Sequence, residues 1–307
     1  MAGKVLCEAS KLYNILNQYT HLSRLAESNY LCLIDARAAE SYNFSHIINA
    51  RNAKWDSDGK FIMPLDVEVE SMKHIIVYDS STHSLSDSGP AIDCADSIEK
   101  ASQFPVQILS GGYEKFSALY PFLRTQKIIY TIKELESLNP YPVEILPGKL
   151  YMGDYRQATN LQILKDLKMN ALVNLSDECS LVFKKANCTV LHIRIADSSD
   201  ADLIASFERI CIFIGSHLNT SCSVLIFSTL GVSRCSAVTM AYLMHHLKYT
   251  LKVMFLLLHL QFALMLLTVA FLNICHLSFL IILGGVESYS AVQSQHEAKS
   301  RIHTATF

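Results

Sequence analysis

Ser228 and Arg234 stand six residues apart in a loop whose residue types suit the binding of an anion. An apolar stretch, Ser223–Phe227, precedes the loop and predicts a buried strand, while a run with helical character begins at Ser236. Such a loop receives backbone N–H groups and the positive end of a helix dipole, and a guanidinium can grip two oxygens of one anion. The predicted phosphate-binding positions are Ser228, Thr229, Leu230, Gly231, Val232, Ser233 and Arg234.

The same loop lacks a nucleophile of the usual strength. Cysteine-dependent phosphatases carry His-Cys at its first two positions, with Arg six residues after the Cys, and here the pair reads Phe227-Ser228. A helix N-terminus and a neighbouring cation lower a thiol pKa by several units from about 8.5, but a serine hydroxyl is a far weaker acid. Serine therefore needs an adjacent base, and Phe227 cannot accept a proton. We predict a loop that binds without turnover.

Two other interpretations stay open at this point. Ser228 and Arg234 could be an ordinary turn serine and a surface arginine. Cys235 occupies the position after the Arg, where phosphatases carry the Ser or Thr that helps the sulfur leave. It could be a displaced nucleophile, although a residue beyond the Arg would already lie in the helix, which favours an inert helix cysteine.

The second half of the chain resembles a dual-specificity phosphatase domain. It begins near the segment Ile145–Gly153, which is similar to the opening strand of that family, and Leu161–Asn174 is similar to the helix and strand that follow. By this resemblance Asp197 is the former general acid that would protonate the leaving oxygen. Its alternative interpretation is a loop residue near the next helix, where Asp200 or Asp202 could cap.

The first half resembles a rhodanese-like domain of the kind found in MAP kinase phosphatases. The segments that carry the resemblance are Leu33–Arg37, Glu40–Ile47, Ile75–Tyr78 and Leu109–Tyr113. Asp79 stands where a sulfurtransferase would carry its Cys, so this is a degenerate rhodanese position and argues against sulfur transfer.

In order and spacing, the two halves resemble the pseudophosphatases of the serine/threonine/tyrosine-interacting-like type, within the dual-specificity/MAP kinase phosphatase-like family. The implied fold is α/β, a rhodanese-like domain followed by a dual-specificity-phosphatase-like α/β domain that lacks its usual last helices. The predicted domains are 1–124 rhodanese-like, 125–144 a linker with a short helix at Ile132–Leu138, and 145–252 phosphatase-like. An apolar segment at 253–286 and a polar tail at 287–307 follow.

Charge and cysteine content limit the partners and the compartment. A formal net charge of -2 gives no reason to expect nucleic acid. The nine cysteines form no C-x-x-C pair and suit reduced thiols, which favours the cytoplasm.

Kinase-docking relatives carry a tight basic cluster after the His-Ile segment. Here that stretch offers only Arg51, Lys54 and Lys60, which argues against MAP kinase docking. No cofactor and no metal is expected.

The C-terminal part departs from the family pattern. Residues 253–286 contain no Asp, Glu, Lys or Arg and, as one helix, would extend roughly 50 Å, against the roughly 30 Å hydrocarbon core of a bilayer. The segment could anchor the chain in a membrane, fold back over the sheet face that the missing helices normally cover, or leave the domain unstable. A tail-anchored membrane or mitochondrial location is therefore the alternative to the cytoplasm.

The resemblance implies a catalytically inactive phosphatase homologue that binds phosphorylated or signalling proteins as a regulator or scaffold. Two alternatives remain, a weakly active protein phosphatase and a membrane-tethered or unstable splice isoform.

Overall fold

The computed structural model describes most of the chain up to Leu247. The described residues are 3–19, 22–64, 67–178, 188–194, 204–220, 222–231 and 233–247. The chain divides into two compact units, Met1–Gly148 and Lys149–Phe307. Both are α/β, as the sequence predicts.

The first unit is built on a parallel sheet with short helices. Its strands are β1 Lys4–Cys7, β2 Leu31–Asp35, β3 His46–Ile47, β4 Arg51–Asn52, β5 Lys54–Trp55, β6 Phe61–Ile62, β7 His74–Tyr78, β8 Val106–Leu109, β9 Arg124–Thr125 and β10 Val143–Leu146. Its helices are α1 Ala9–Leu16, α2 Ala39–Phe44, α3 Pro90–Glu99, α4 Gly112–Leu119 and α5 Ile132–Glu136. The last of these confirms the short helix that the sequence predicts near Ile132–Leu138.

Five strands form the main sheet of this unit, in the order β1-β8-β7-β2-β4, and every adjacent pair is parallel. Strands β2 and β7 are almost continuously apolar because both faces of a parallel sheet are covered, and four of the five residues in each are buried. Helix α3 begins with Pro90, whose fixed φ suits the first helical position. Because β7 is parallel to its neighbours, the segment that follows Tyr78 lies at the carboxyl edge of the sheet.

Residues 125–144, predicted as a linker, belong to the first compact unit. Side chains of helix α1 form hydrogen bonds with the C-terminal end of this segment. The Tyr13 hydroxyl donates to the Pro142 carbonyl at 2.8 Å. The Asn14 amide acts as a strand partner, since its Nδ2 donates to the Glu144 carbonyl at 2.9 Å and its Oδ1 accepts from the Glu144 N–H at 2.8 Å. This segment is therefore anchored at its end by buried side chains.

The second unit also has a parallel sheet. Its strands are β11 Leu150–Asp154, β12 Met169–Asn174, β13 Thr189–His192 and β14 Ser223–Ser228, and its helices are α6 Tyr155–Ala158, α7 Leu161–Asp166, α8 Ile204–Asn219 and α9 Ser233–Leu247. The strands run in the order β11-β14-β12-β13 with parallel pairing. Strand β14 thus lies between two neighbours, and all six of its residues are buried. Ligands bind such sheets beyond the carboxyl ends of the strands.

The C-terminal segments 253–286 and 287–307 lie outside the described residues. Within the described part of the chain, no helix has both the length and the apolar character needed to cross a bilayer.

Candidate functional site

The candidate site is the loop between β14 and α9. The strand that the sequence predicts at Ser223–Phe227 is present and extends to Ser228, so the strand-loop-helix order is confirmed. The helix α9 begins at Ser233, earlier than the predicted start at Ser236, and it includes Arg234. Thr229 and Leu230 are exposed, and Leu230 retains 69% of its accessible surface. Val232 lies outside the described residues. Because β14 is central, this loop opens at the carboxyl edge of the sheet, beside the ends of β11 and β12.

Gly231 sets the close approach of the loop to strand β11. Its φ of +69° lies in the left-handed region that favours glycine. A Cβ atom here would lie 2.6 Å from the carbonyl group of Gly153 and 2.8 Å from the backbone nitrogen of Asp154. Both the turn and the contact therefore exclude any side chain at this position.

Ser228, at the nucleophile position, is buried inside the loop. Its Oγ accepts a hydrogen bond from the Gly231 N–H at 3.1 Å, and the Cys235 thiol donates to the same oxygen at 3.2 Å. The side chain of Ser228 is held from both sides, and neither neighbour is a base. Within the described part of the chain, the serine therefore contacts no group that could accept its proton.

Cys235 lies in the first turn of α9 and is fully buried. Burial raises the pKa of its thiol to about 12, an effect only partly opposed by the hydrogen bond to Ser228 and by the charge of Arg234. The thiol is therefore protonated at neutral pH, whereas the reactive form of cysteine is the thiolate. Both its burial and its raised pKa argue against Cys235 as a displaced nucleophile.

Arg234 retains only 4% of its accessible surface, so the interpretation that it is a surface arginine is wrong. Its Nη1 donates to the backbone carbonyl of Leu175 at 3.0 Å. Leu175 follows strand β12, and its N–H donates to the Phe227 carbonyl at 2.9 Å. The carbonyl that orients the guanidinium is thus tied to the strand that leads into the loop.

A buried amide braces the turn that holds Arg234. Asn174 Oδ1 accepts from both the N–H and the hydroxyl of Ser176, at 2.9 and 2.7 Å, while its Nδ2 donates to the Glu178 carbonyl at 2.7 Å. The ring Nε2 of His192 lies 2.9 Å from the Ser176 carbonyl oxygen. This turn was not among the predicted site residues. Its position depends on the parallel register that sets Asn174 beside Phe227, which local sequence patterns do not give.

Phe227 occupies the position of the phosphatase histidine and is fully buried. Its ring lies 6.2 Å, centroid to centroid, from that of Tyr155 in α6. An aromatic hydrocarbon here supplies packing and no proton acceptor. Asp197, the residue that the resemblance assigns as former general acid, lies outside the described residues.

The degenerate rhodanese position, Asp79, organises the segment that follows β7. Its Oδ1 accepts from the N–H groups of Ser81 and Thr82 at 3.1 and 2.9 Å, and its Oδ2 accepts from the Thr82 hydroxyl at 2.6 Å. A carboxylate cannot form the persulfide on which sulfur transfer depends. Asp79 instead satisfies the backbone amides of Ser81 and Thr82 within the loop. Among the described residues no group of three His, Cys, Asp or Glu is arranged to hold a metal ion.

Both halves of the chain match family models. Residues 17–119 match the rhodanese-like domain, and residues 150–273 match the catalytic domain of dual specificity phosphatases. The chain therefore pairs a rhodanese-like domain with a dual-specificity-phosphatase-like domain. This confirms the predicted fold class of a rhodanese-like domain followed by a dual-specificity-phosphatase-like α/β domain. The predicted lack of the last helices falls outside the described residues and stays a prediction.

Several dual specificity protein phosphatases are similar to this chain in sequence. Dual specificity protein phosphatase 16 of Homo sapiens is 25% identical over 244 residues, which are 71% of this chain and 36% of that protein. Dual specificity protein phosphatase 4 of Gallus gallus is 27% identical over 249 residues, which are 69% of this chain and 66% of that protein. The first four relatives are matched over 26–66% of their own length. Among solved structures, the human tyrosine phosphatase-like serine/threonine/tyrosine-interacting protein is 22% identical, with a TM-score of 0.42 over 46% of this chain and 97% of that one.

Proposed function

We propose that this chain is a catalytically inactive phosphatase homologue that binds phosphorylated Ser, Thr or Tyr side chains of signalling proteins, and that it acts as a regulator or scaffold. The observation that carries the proposal is the pair Ser228 and Cys235. Their side chains are in contact at 3.2 Å, and no base contacts the serine among the residues that the structure describes. Phosphatases of this kind have cysteine first and serine or threonine second, and this chain has the two residue types in the opposite positions.

The chemistry follows from that exchange. The position that must attack phosphorus carries a hydroxyl whose only described side-chain partner is a protonated thiol. Position 235, where phosphatases carry the Ser or Thr that helps the sulfur leave, carries Cys235, which is fully buried in the helix. Neither group can form a phospho-enzyme intermediate at a useful rate near pH 7, because the nucleophile must be ionised or have a base.

The features that serve binding are retained in the same loop. Gly231 keeps the left-handed turn and directs its N–H toward the interior of the loop. Arg234 has a fixed orientation through Leu175. A preorganised arginine loses less conformational entropy on binding an oxyanion than a mobile one. This combination supports phosphate recognition without hydrolysis.

Titration of the full chain with fluorescent phosphopeptides tests the binding. Peptides that carry phosphotyrosine or phosphothreonine should bind, and the unphosphorylated versions should not. We expect Arg234→Met to weaken binding at least tenfold, since removing a buried charged partner typically costs 2–5 kcal/mol. Arg234→Lys should give an intermediate loss because lysine keeps the charge without the bidentate geometry.

The matched control is Arg209→Met, an exposed arginine on α8. Thermal unfolding separates a binding defect from loss of fold, since Arg234 also holds Leu175. The proposal is abandoned if Arg234→Lys, folded like the native chain, binds every phosphopeptide with native affinity.

An aryl phosphate assay addresses the alternative of weak phosphatase activity. We expect no hydrolysis above that of the Ser228→Ala variant. A signal in the native chain that disappears in Ser228→Ala would instead establish a serine-dependent phosphatase, and binding without turnover would no longer describe the protein.

A further inference from the structure

A groove on the first unit lies apart from the degenerate loop of that unit. It encloses about 650 Å³, within the range of sites that take small molecules or a few side chains. Its floor consists of Met63, Val67 and Val69. Val69 belongs to the buried core, and the other two pack against that core while staying partly exposed. Apolar side chains in this position can contact apolar side chains of a partner.

Two carboxylates line the same groove. Glu68 and Glu70 flank Val69 in the sequence, and both are exposed. Neither makes a side-chain hydrogen bond or an ion pair with any residue that the structure describes, whereas Glu8, Glu27 and Glu134 each pair with a Lys or Arg. Among the described residues that line the groove there is no Lys and no Arg.

Two further lining residues, Ala101 and Gln103, follow the end of α3, and both are exposed and uncharged. A small alanine leaves the groove open beside it, and the glutamine offers hydrogen bonds without charge. The charge among the described lining residues thus comes from Glu68 and Glu70.

We propose that this groove docks a partner protein through a short segment in which Arg or Lys residues neighbour Leu-like residues. The apolar side chains would contact Met63, Val67 and Val69, and the cations would pair with Glu68 and Glu70. Complementary charge directs the encounter and excludes acidic segments, while apolar burial supplies affinity. The proposal is independent of phosphate binding, because no residue of the second unit takes part.

Fluorescence polarisation on the full chain tests the groove with three labelled hexapeptides. The probe alternates Arg and Leu, one control alternates Arg and Ser, and the other alternates Glu and Leu. We expect the Arg-Leu peptide to bind at least tenfold more tightly than either control. Its affinity should fall as salt is raised, because exposed charges are screened. Equal binding of the Arg-Ser peptide would reduce the interaction to charge alone and would overturn the proposal.

Two variants locate the binding. Glu68→Lys with Glu70→Lys should weaken the Arg-Leu peptide at least fivefold, and Ala101→Arg should do the same by filling the open side. The charge-matched control, Glu40→Lys with Glu114→Lys, changes two exposed glutamates of the same unit and should stay within twofold. All of these positions are exposed, so unchanged thermal unfolding is expected. Equal weakening in the control, or native affinity in both groove variants, would refute the site.

Discussion

At the scale of single residues, the exchange of Ser228 and Cys235 underlies the proposal that the loop does not hydrolyse phosphate, and it also suggests which substitutions would restore hydrolysis. The thiol and the hydroxyl lie 3.2 Å apart. A cysteine placed at 228 would sit at the end of the strand, beside the first turn of α9, where a helix dipole and Arg234 favour a thiolate. A cysteine left at 235 would then be its direct neighbour.

We therefore expect different behaviour from two reactivated chains. Phe227→His with Ser228→Cys should hydrolyse an aryl phosphate only under reducing conditions, because two adjacent thiols are prone to form a disulfide. Adding Cys235→Ser should give turnover that no longer depends on reductant. Steady-state rates with and without dithiothreitol distinguish the two chains. Cys235→Ser alone is the control and should be inactive.

A result in which neither chain gains activity over the native protein would contradict this account of the loop. It would indicate that the rest of the phosphatase machinery, including position 197, is not competent.

Asp79 is the residue on which the first unit's degenerate loop depends. It accepts three hydrogen bonds within the loop while only 8% exposed. We expect Asp79→Ala to lower the free energy of unfolding by about 2–3 kcal/mol, because the amides and the hydroxyl lose a charged acceptor. Urea unfolding measures the change.

Asp87 provides the comparison for that variant. Its carboxylate accepts from the N–H groups of His83 and Ser84, both at 2.9 Å, but it is fully exposed. Water can replace these bonds, so Asp87→Ala should cost clearly less than Asp79→Ala. Equal losses would mean that Asp79 has no special role.

At the scale of elements, the turn after β12 positions the arginine without touching a ligand. Asn174 is fully buried, and its amide makes three hydrogen bonds within this turn. Asn174→Ala should release the turn and with it the Leu175 carbonyl. We expect phosphopeptide affinity to fall about three- to tenfold, together with a loss of stability of about 1–3 kcal/mol.

Asn174→Asp separates the two effects, because aspartate keeps the acceptor but cannot donate to the Glu178 carbonyl. An intermediate loss of affinity is expected in the same titration. If both variants bind phosphopeptides as the native chain does, the turn has no positioning role.

The sequence predicts much of this arrangement but not its contacts. Apolar runs and the single glycine of the loop were sufficient to place β14 and the turn at Gly231, whereas α9 begins at Ser233 and not at the predicted Ser236. The contact between Ser228 and Cys235 was not predicted, since it depends on how tightly the loop closes. The burial of Arg234 and its bond to Leu175 were also missed, because they depend on strand pairing across 59 residues. A local sequence pattern indicates periodicity and turns. The contacts of Ser228 and Arg234 depend instead on the order of the strands in the sheet.

At the scale of the whole molecule, the two compact units can be followed separately. The chain has one tryptophan, Trp55, which lies in the first unit and packs against its core. Its ring meets Phe61 edge-on, with centroids 5.8 Å apart. Tryptophan fluorescence therefore reports unfolding of the first unit, whereas phosphopeptide binding reports on the second.

Trp55 fluorescence can therefore measure how the stability of the first unit depends on pH. Burial lowers the pKa of His74 to about 4, and the neighbouring cations Lys73, Lys11 and Arg24 act in the same direction. In the unfolded chain the same ring titrates near 6.5. Between these values the unfolded state binds more protons, so the free energy of unfolding falls as pH is lowered through this window.

We expect the first unit to lose about 1–2 kcal/mol between pH 7.5 and pH 4.5 through this ring, an amount that allows for its partial exposure. His74→Phe removes the titration and retains a ring against Tyr30, which His74 meets edge-on at 5.3 Å. Denaturant unfolding followed by Trp55 fluorescence should therefore show a weaker pH dependence in this variant. If the pH dependence is the same in both chains, other groups govern it, and the phenylalanine variant identifies His74 as a bystander.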